Sequence, residues 1–477
     1  MTQSLQMTRP RGHSHLEAQQ RYGNLAQPLT LAAMSLGFAV VQLDVTIVNV
    51  ALNAIGASFS GRVASLQWVV NAYTVSFAAF ILSAGALGDR IGAKRVFSAG
   101  FAIFTLASLS CAFATSIGML IASRVGQGIG AAILVPNSLA MLNHTYHDER
   151  GRTRAVALWA AGASVALTAG PLIGGALIQV FGWRSIFLVN LPIGAAGLYL
   201  TWRFATETPQ NRRHALDLGG QTAAFAALGL TAATLIASGA RGWLDPWVLG
   251  GAALAVLAFV AFVTVERRST QPMLPLGLFA NPGFAATTAA GLLINTAFYG
   301  LIFVFSLYFQ QVGKLTPWWT GLAFVPMTGA CLATNFVAAP LSRRIGPRAV
   351  IIAGSVIMTL GCLSMLPLIG AGSYAILFPS FIAAGGGLGL VVPPLTAALL
   401  GSVDKSRSGV AAGVLNSSRQ TGSVLGVALL GSVLSRAADM DLGMRATFLI
   451  SAVALAAAVV VTLCGVRKPQ SAGKSGH

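Results

Sequence analysis

About fourteen stretches of roughly 20 mainly apolar residues, each long enough to cross a bilayer, run through this chain of 477 residues. In lipid every backbone N–H and C=O must find its partner inside the protein, so such stretches fold as helices or as closed barrels of strands. A spanning strand needs only about ten residues of alternating polarity; these runs are longer and do not alternate. The expected fold is an all-α polytopic membrane protein with helices over 29–54, 65–88, 96–116, 118–142, 154–178, 185–204, 217–239, 246–265, 284–311, 318–339, 349–370, 373–400, 408–434 and 446–466. Only 9% of the residues are charged, against roughly 25% in soluble domains, which excludes an ordinary soluble protein.

The net charge of +18 would suggest nucleic acid as a partner of a soluble chain. Its distribution points to the lipid bilayer instead. With the N-terminus in the cytoplasm and fourteen helices threaded, only Arg62, Arg184, Arg241, Lys314, Arg436 and Arg445 reach the far side, and Arg124 and Arg419 lie within helices. The rest of the 30 lysines and arginines fall on the cytoplasmic side, as the positive-inside rule requires. One helix more or fewer would scramble this alternation. The expected location is the cytoplasmic membrane, with both termini inside. No cleavable leader is expected, because the first 28 residues are polar and basic and the segment from Leu29 is too long and carries Asp44. Cys111, Cys331, Cys362 and Cys464 lie in apolar runs without paired spacing and read as small core hydrophobes rather than metal ligands.

The chain also repeats itself weakly, a pattern found in transporters. The turn Gly88-Asp89-Arg90-Ile91-Gly92-Ala93-Lys94 is echoed by Ser342-Arg343-Arg344-Ile345-Gly346-Pro347-Arg348 at an offset of 254. Gly170-Pro171-Leu172-Ile173-Gly174 is echoed by Gly422-Ser423-Val424-Leu425-Gly426 at 252, and Gly128-Ile129-Gly130 by Gly387-Leu388-Gly389 at 259. Helices 2, 4 and 5 thus match 10, 12 and 13. The implied organisation is a cytoplasmic tail over 1–28, a six-helix bundle over 29–204, linkers and two accessory helices over 205–283, a second six-helix bundle over 284–467, and a tail over 468–477. The tails 1–25 and 468–477 read as disordered, and 205–216 and 266–283 as the long linkers.

An ionisable group inside the membrane is costly and usually works for its place. Of 12 acids, only Asp44 is expected deep in a helix, and a carboxylate in a low-dielectric cavity can take up and release a proton as its surroundings change. Arg124, in helix 4, stays charged and needs an acid or carbonyl partner; Asp44 is the candidate, with snorkelling to the interface as the alternative. Arg419 in helix 13, among Asn416, Ser417, Ser418 and Gln420, reads as cavity lining or as polar glue between helices. Helix 5 carries small residues around Pro171 that suit close packing, a hinge or an exit seal. The turn after helix 2, with Gly85, Asp89, Arg90, Gly92 and Lys94, suits a reversal whose charges lock onto a neighbouring helix end. Trp68, Tyr73, Asn137, Asn295, Tyr299 and Gln311 are further candidates for a substrate cavity at the bilayer midplane.

These motifs resemble the major facilitator superfamily, and within it the fourteen-helix drug:proton antiporters. Gly85, Leu87, Asp89, Arg90, Gly92 and Lys94 match its loop signature, with a departure at Ala93. Leu43 to Leu52 match the helix 1 pattern, although Asn53 replaces the usual proline. Arg124, Gln127 and Gly128 match helix 4, and Gly170, Pro171, Gly174 and Gly175 match the antiporter signature, whose first glycine is here Ala166. The resemblance implies two six-helix bundles plus two inserted helices, and export of drugs or antibiotics in exchange for protons, as in methylenomycin-type and quaternary-ammonium efflux proteins. It implies a proton gradient rather than a cofactor, a small-molecule substrate, no nucleic acid, no enzymatic activity and a monomer. Some relatives carry an acid in helix 13 tied to cationic drugs. Arg419 stands in that helix here and no acid does, so dicationic substrates fit poorly and neutral or anionic antibiotics fit better. A proton-coupled nutrient importer is the first rival, a membrane sensor or enzyme the second; no phosphate-binding loop supports ATP drive.

The threading is tested by topology reporters fused after Arg213 and after Arg268: both should report the cytoplasm. A reporter found outside at either point breaks the fourteen-helix count.

Overall fold

The structure is a computed structural model that describes residues 12–210, 217–370, 374–404 and 407–466, with side chains from residue 25 onward. Fourteen long helices account for nearly all of it, and no strand occurs among the described residues. They are α1 (Gly12–Phe59), α2 (Val63–Ile91), α3 (Ala93–Ala112), α4 (Ile117–Thr145), α5 (Glu149–Phe181), α6 (Ser185–Phe204), α7 (Leu218–Arg241), α8 (Pro246–Arg268), α9 (Pro282–Gln311), α10 (Pro317–Ile345), α11 (Pro347–Met365), α12 (Tyr374–Leu400), α13 (Ser408–Arg436) and α14 (Met440–Gly465). Thirteen are long and apolar enough to cross a membrane; α13 is the exception. The run Asn416 to Thr421 lowers its hydropathy. It is nevertheless enclosed, packing on α9, α2, α7 and α14, so its polar face meets protein rather than lipid.

Helices α1 to α6 pack mainly on one another, as do α9 to α14. Three seams join the two bundles: α1 on α9, α2 on α13, and α5 on α10. Accessory helix α7 lies against both α2 and α13, and α8 packs on α7. The amide of Gln221 in α7 donates to the Ala79 carbonyl at 2.9 Å, which ties the accessory pair to the first bundle.

Several element ends differ from expectation. Helix α1 reaches back to Gly12 through Pro28, because Leu16 to Arg21 supplies helix formers; the expected tail is helical there, while residues 1–11 and 467–477 lie outside the described residues. Helix α3 stops at Ala112 and Ser116 caps α4, accepting from the Met119 N–H at 3.2 Å. Helix α8 runs to Arg268, so Glu266, expected in a linker, is buried; its carboxylate accepts the Leu274 N–H at 3.1 Å and folds the linker back on the helix. Cys464 is exposed in the last turns of α14, unlike the three buried cysteines.

The internal repeat recurs in the packing, with one register changed. A Cβ at Gly128 would collide with the carbonyl of Tyr73 in α2, and one at Gly385 with that of Met327 in α10. Gly130 presses on Phe104 in α3, and Gly387 on Met358 in α11. Tyr73 and Met327 are 254 apart, as are Phe104 and Met358. Gly128 and Gly130 therefore correspond to Gly385 and Gly387, an offset of 257 rather than 259. The glycine-rich run Gly385-Gly386-Gly387-Leu388-Gly389 allowed two alignments, and only the contacts choose between them. For α5 and α13 the offset of 252 agrees with the contacts: Gly174 meets Ile47 of α1, and Gly426 meets Thr296 of α9.

Because lipid offers no hydrophobic drive between helices, close backbone approach at small residues does much of the joining. Gly128→Val and Gly385→Val should each overpack a helix pair and cost about 1–3 kcal/mol, read as a lower melting temperature in detergent. Gly229→Val, at a position with open space around it, should leave melting unchanged. Equal melting for all three would show that the glycines are not packing contacts.

Candidate functional site

Asp44 and Arg124 are both fully enclosed, at 0% and 1% exposure, and bonded to each other: Arg124 Nη1 donates to Asp44 Oδ2 at 2.5 Å. The arginine is therefore a paired interior cation and not one that snorkels. Its Nε donates to the Val69 carbonyl in α2 at 3.0 Å, and Nη1 also reaches Gln127 Oε1 at 2.8 Å. The guanidinium lies 4.3 Å from the centre of the Tyr73 ring. The other carboxylate oxygen of Asp44 accepts from Gln127 Nε2 at 3.3 Å and Asn190 Nδ2 at 3.4 Å. Ser108 Oγ joins the network from α3, accepting from Gln127 and Asn190. Five helices thus contribute to one charged cluster. Local structure sets up one of these contacts: α6 breaks at Val189, immediately before Asn190.

Arg124 and Tyr73 also line an enclosed cavity of about 10 Å³ between the bundles, roughly the room of one water. Asn49 lines it from α1, Tyr299 from α9, and Ser423 and Val427 from α13. Of the expected cavity residues, Tyr73 and Tyr299 are there. Asn295 is buried one turn before Tyr299, donating to its own helix at Gly291, and Asn416 is half-buried on α13. Three others lie away from it in this structure. Trp68 packs among Val75, Ala232 and Val424 toward α7, because the accessory helices cover that face of α2. Asn137 clamps α4 to α2, donating to the Ala84 carbonyl at 3.1 Å beside Gly88. Gln311 makes way for its neighbour Gln310, since the helical turn directs that residue at α1.

The seams close toward the end of the bundle away from the basic loops. Gln310 Nε2 donates to the Val50 carbonyl at 3.1 Å, and Ser306 Oγ donates to the Asn49 carbonyl. Gln67 in α2 donates to the carbonyls of Val427 and Ala428 in α13 at 2.9 and 2.8 Å. Helix α5 seats on two partners at once. Gly170 and Gly174 face Thr46 and Ile47 of α1, while Gly175 faces Pro317 and the Pro171 carbonyl faces Gly321 of α10. The small-residue seam is thus an inter-bundle contact. Gln67, Asn190, Ser306 and Gln310 were not singled out from the sequence; Asn190 and Ser306 each stand as a lone polar residue in an apolar run, the one signal that marks them.

At the basic end, the turn between α2 and α3 is locked by a segment expected to be only a linker. Gly92 has φ of 104°, a conformation that favours glycine, and Gly346 in the matching turn has φ of 86°. The first N–H groups of a helix lack internal partners. Here Thr208 Oγ1 accepts from Ala93 at 2.8 Å, and the Glu207 carboxylate accepts from Lys94 at 2.9 Å and Arg95 at 3.3 Å. In return Lys94 Nζ donates to the Ala205 and Trp202 carbonyls at the end of α6, at 2.7 and 3.2 Å. Each charge complements a helix dipole. Gly85 lies against Pro136 of α4, and Asp89 and Arg90 are exposed in the last turn of α2.

The sequence matches the Major Facilitator Superfamily over residues 34–427 and again over 330–477. The chain belongs to that superfamily. It is 38% identical over 419 residues to the Methylenomycin A resistance protein of Streptomyces coelicolor, covering 88% of each chain. It is 37% identical over 412 residues to the Multidrug resistance protein Stp of Mycobacterium tuberculosis, covering 86% of this chain and 76% of that one. Among solved structures, the human organic anion transporter MFSD10 (TETRAN) aligns with a TM-score of 0.64 at 17% identity, over 91% of this chain and 99% of that one, a likeness of fold. In this facilitator the bundle architecture, the enclosed ion pair and the two signature turns therefore belong to one membrane transporter fold.

Glu207→Gln keeps the size of the cap and removes its charge. It should lower stability by roughly 1 kcal/mol, seen as earlier thermal unfolding of purified protein, and Lys94→Met should do the same from the other side. Unchanged melting in both variants would show that the exchange of caps holds nothing.

Proposed function

We propose that the chain exports drugs, antibiotics or related small organic molecules across the cytoplasmic membrane in exchange for protons, as a monomer with both termini inside. Its relatives include proteins named for methylenomycin A and multidrug resistance, which supports a drug exporter. The observation that carries the coupling is the Asp44–Arg124 pair beside the central cavity. With both Asp44 oxygens engaged, the carboxylate cannot accept a proton without giving up Arg124 or its amide donors. Protonation would release the guanidinium toward the cavity, and deprotonation would recapture it. A ligand shifts a conformational equilibrium only through a difference in binding between its states. A proton on Asp44 supplies such a difference, because it decides whether five helices share one charged cluster. Opening of the far end would break the Gln67, Ser306 and Gln310 bonds and slide α5 against α10, while the Lys94–Glu207 exchange holds the inner end of the first bundle as a unit. No cofactor enters this cycle.

Asp44→Asn keeps size and hydrogen bonding but cannot titrate. In everted vesicles or proteoliposomes, uphill drug movement driven by a pH gradient should fail, whereas downhill exchange of the same drug should survive. Continued gradient-driven export by the variant would place the coupling proton elsewhere, with Asp217 next in line. Failure to insert would assign Asp44 a structural role with Arg124.

A further inference from the structure

We infer that Arg419 is an anion-binding residue for substrate, so that the preferred cargo is an amphipathic organic molecule carrying a carboxylate; this rests on the exporter reading above.

The charge balance of the interior is the starting point. Asp44 and Arg124 neutralise each other. Arg419 has no carboxylate within ion-pair distance among the described residues, and its Nε is buried with no hydrogen-bond partner. The residue lies eleven positions into α13, about 16 Å along the helix, a distance comparable to half of a hydrocarbon core about 30 Å thick. A cation at that depth is costly unless something completes it. Helix α13 is otherwise surrounded by protein, so this charge is not held for contact with lipid headgroups.

Position decides what would complete it. Ser423 lies one helical turn beyond Arg419 on α13 and lines the central cavity together with Arg124, Tyr73 and Tyr299. On the facing helix α9, a Cβ at Gly291 would sit 3.5 Å from Arg419 Cγ, so the missing side chain leaves space for the arginine stem. Asn295 and Tyr299 follow at successive turns, and Tyr299 is within electrostatic range of Arg419. Arg419 is not itself a lining residue, but it lies one turn before Ser423, next to a cavity that Tyr299, Val427 and Val70 face with aromatic and aliphatic surface. A guanidinium holds a carboxylate through two parallel N–H bonds, while the apolar part of the same molecule would occupy the cavity once the bundles part. A bound monoanion would bring the interior to neutrality. A cationic drug would meet an uncompensated like charge.

The test uses the purified full-length chain and three amphipathic carboxylates, fusidic acid, cholic acid and 1-naphthoic acid, each paired with its uncharged methyl ester. Binding is read by thermal shift and by competition. At least one acid should bind the unaltered protein more tightly than its ester. Arg419→Gln should weaken that acid roughly tenfold to a hundredfold and leave the ester unchanged, while Arg419→Lys should lose less. Lys retains the charge, so a misfolded Gln variant would not leave the question open. Three results would overturn the inference: esters bind as well as acids, Arg419→Gln binds the acids normally, or none of the acids binds. The exporter reading is judged separately. Gradient-driven export of neutral or cationic drugs without any anion binding sinks only the anion site, whereas gradient-driven export by Asp44→Asn sinks only the proposed proton carrier.

Discussion

A buried charge pair in a membrane protein has no water to fall back on, and the first bundle is arranged around that fact. Once Asp44 and Arg124 are placed in the interior, their remaining hydrogen-bonding capacity must be met by protein. The Val69 carbonyl, Gln127 and Asn190 meet much of it from three helices, and Ser108 on a fourth accepts from both of those amides. Removing one partner of such a pair costs about 3–5 kcal/mol in general, which makes the cluster a strong constraint on how these helices sit. In the proposed cycle, the same pair that fixes how these helices sit is the one a proton on Asp44 would dissolve.

The two bundles are joined by contacts of a different kind. Along the seams, side-chain amides and hydroxyls donate to backbone carbonyls across the gap, and α5 meets α10 through glycines. Neutral hydrogen bonds of this sort contribute on the order of 1 kcal/mol each, and water can replace them when a seam opens. By contrast, the exchange of caps between α3 and the end of α6 combines charge with helix-end N–H and carbonyl groups. Charge-assisted bonds are stronger. The charged contacts, the Asp44–Arg124 pair and the exchange of caps, lie within the first bundle, and the neutral ones named here join the two bundles.

Much was legible from the chain itself. Apolar run length gave the helices. The isolation of Asp44 and Arg124 in apolar surroundings gave their pairing. Less legible was which polar residue does what within a helix. Asn137 and Tyr73 look alike as polar or aromatic residues on apolar helices, yet one clamps α4 to α2 and the other faces the cavity. Gln310 and Gln311 are adjacent in sequence and differ by one step of helical rotation, and that step decides which one reaches α1.

The sequence alone determined the helical membrane architecture, because the bilayer admits few ways to satisfy a backbone. It also marked the signature turns, because Gly92 and the charges around it serve a reversal. Only the tertiary structure decided the register of the repeat in α12, the capping role of Glu207, the burial of Glu266, and the isolation of Arg419. Each of these depends on contacts between residues far apart in the chain. Local periodicity says which face of a helix is apolar, but the partner on that face is chosen by packing.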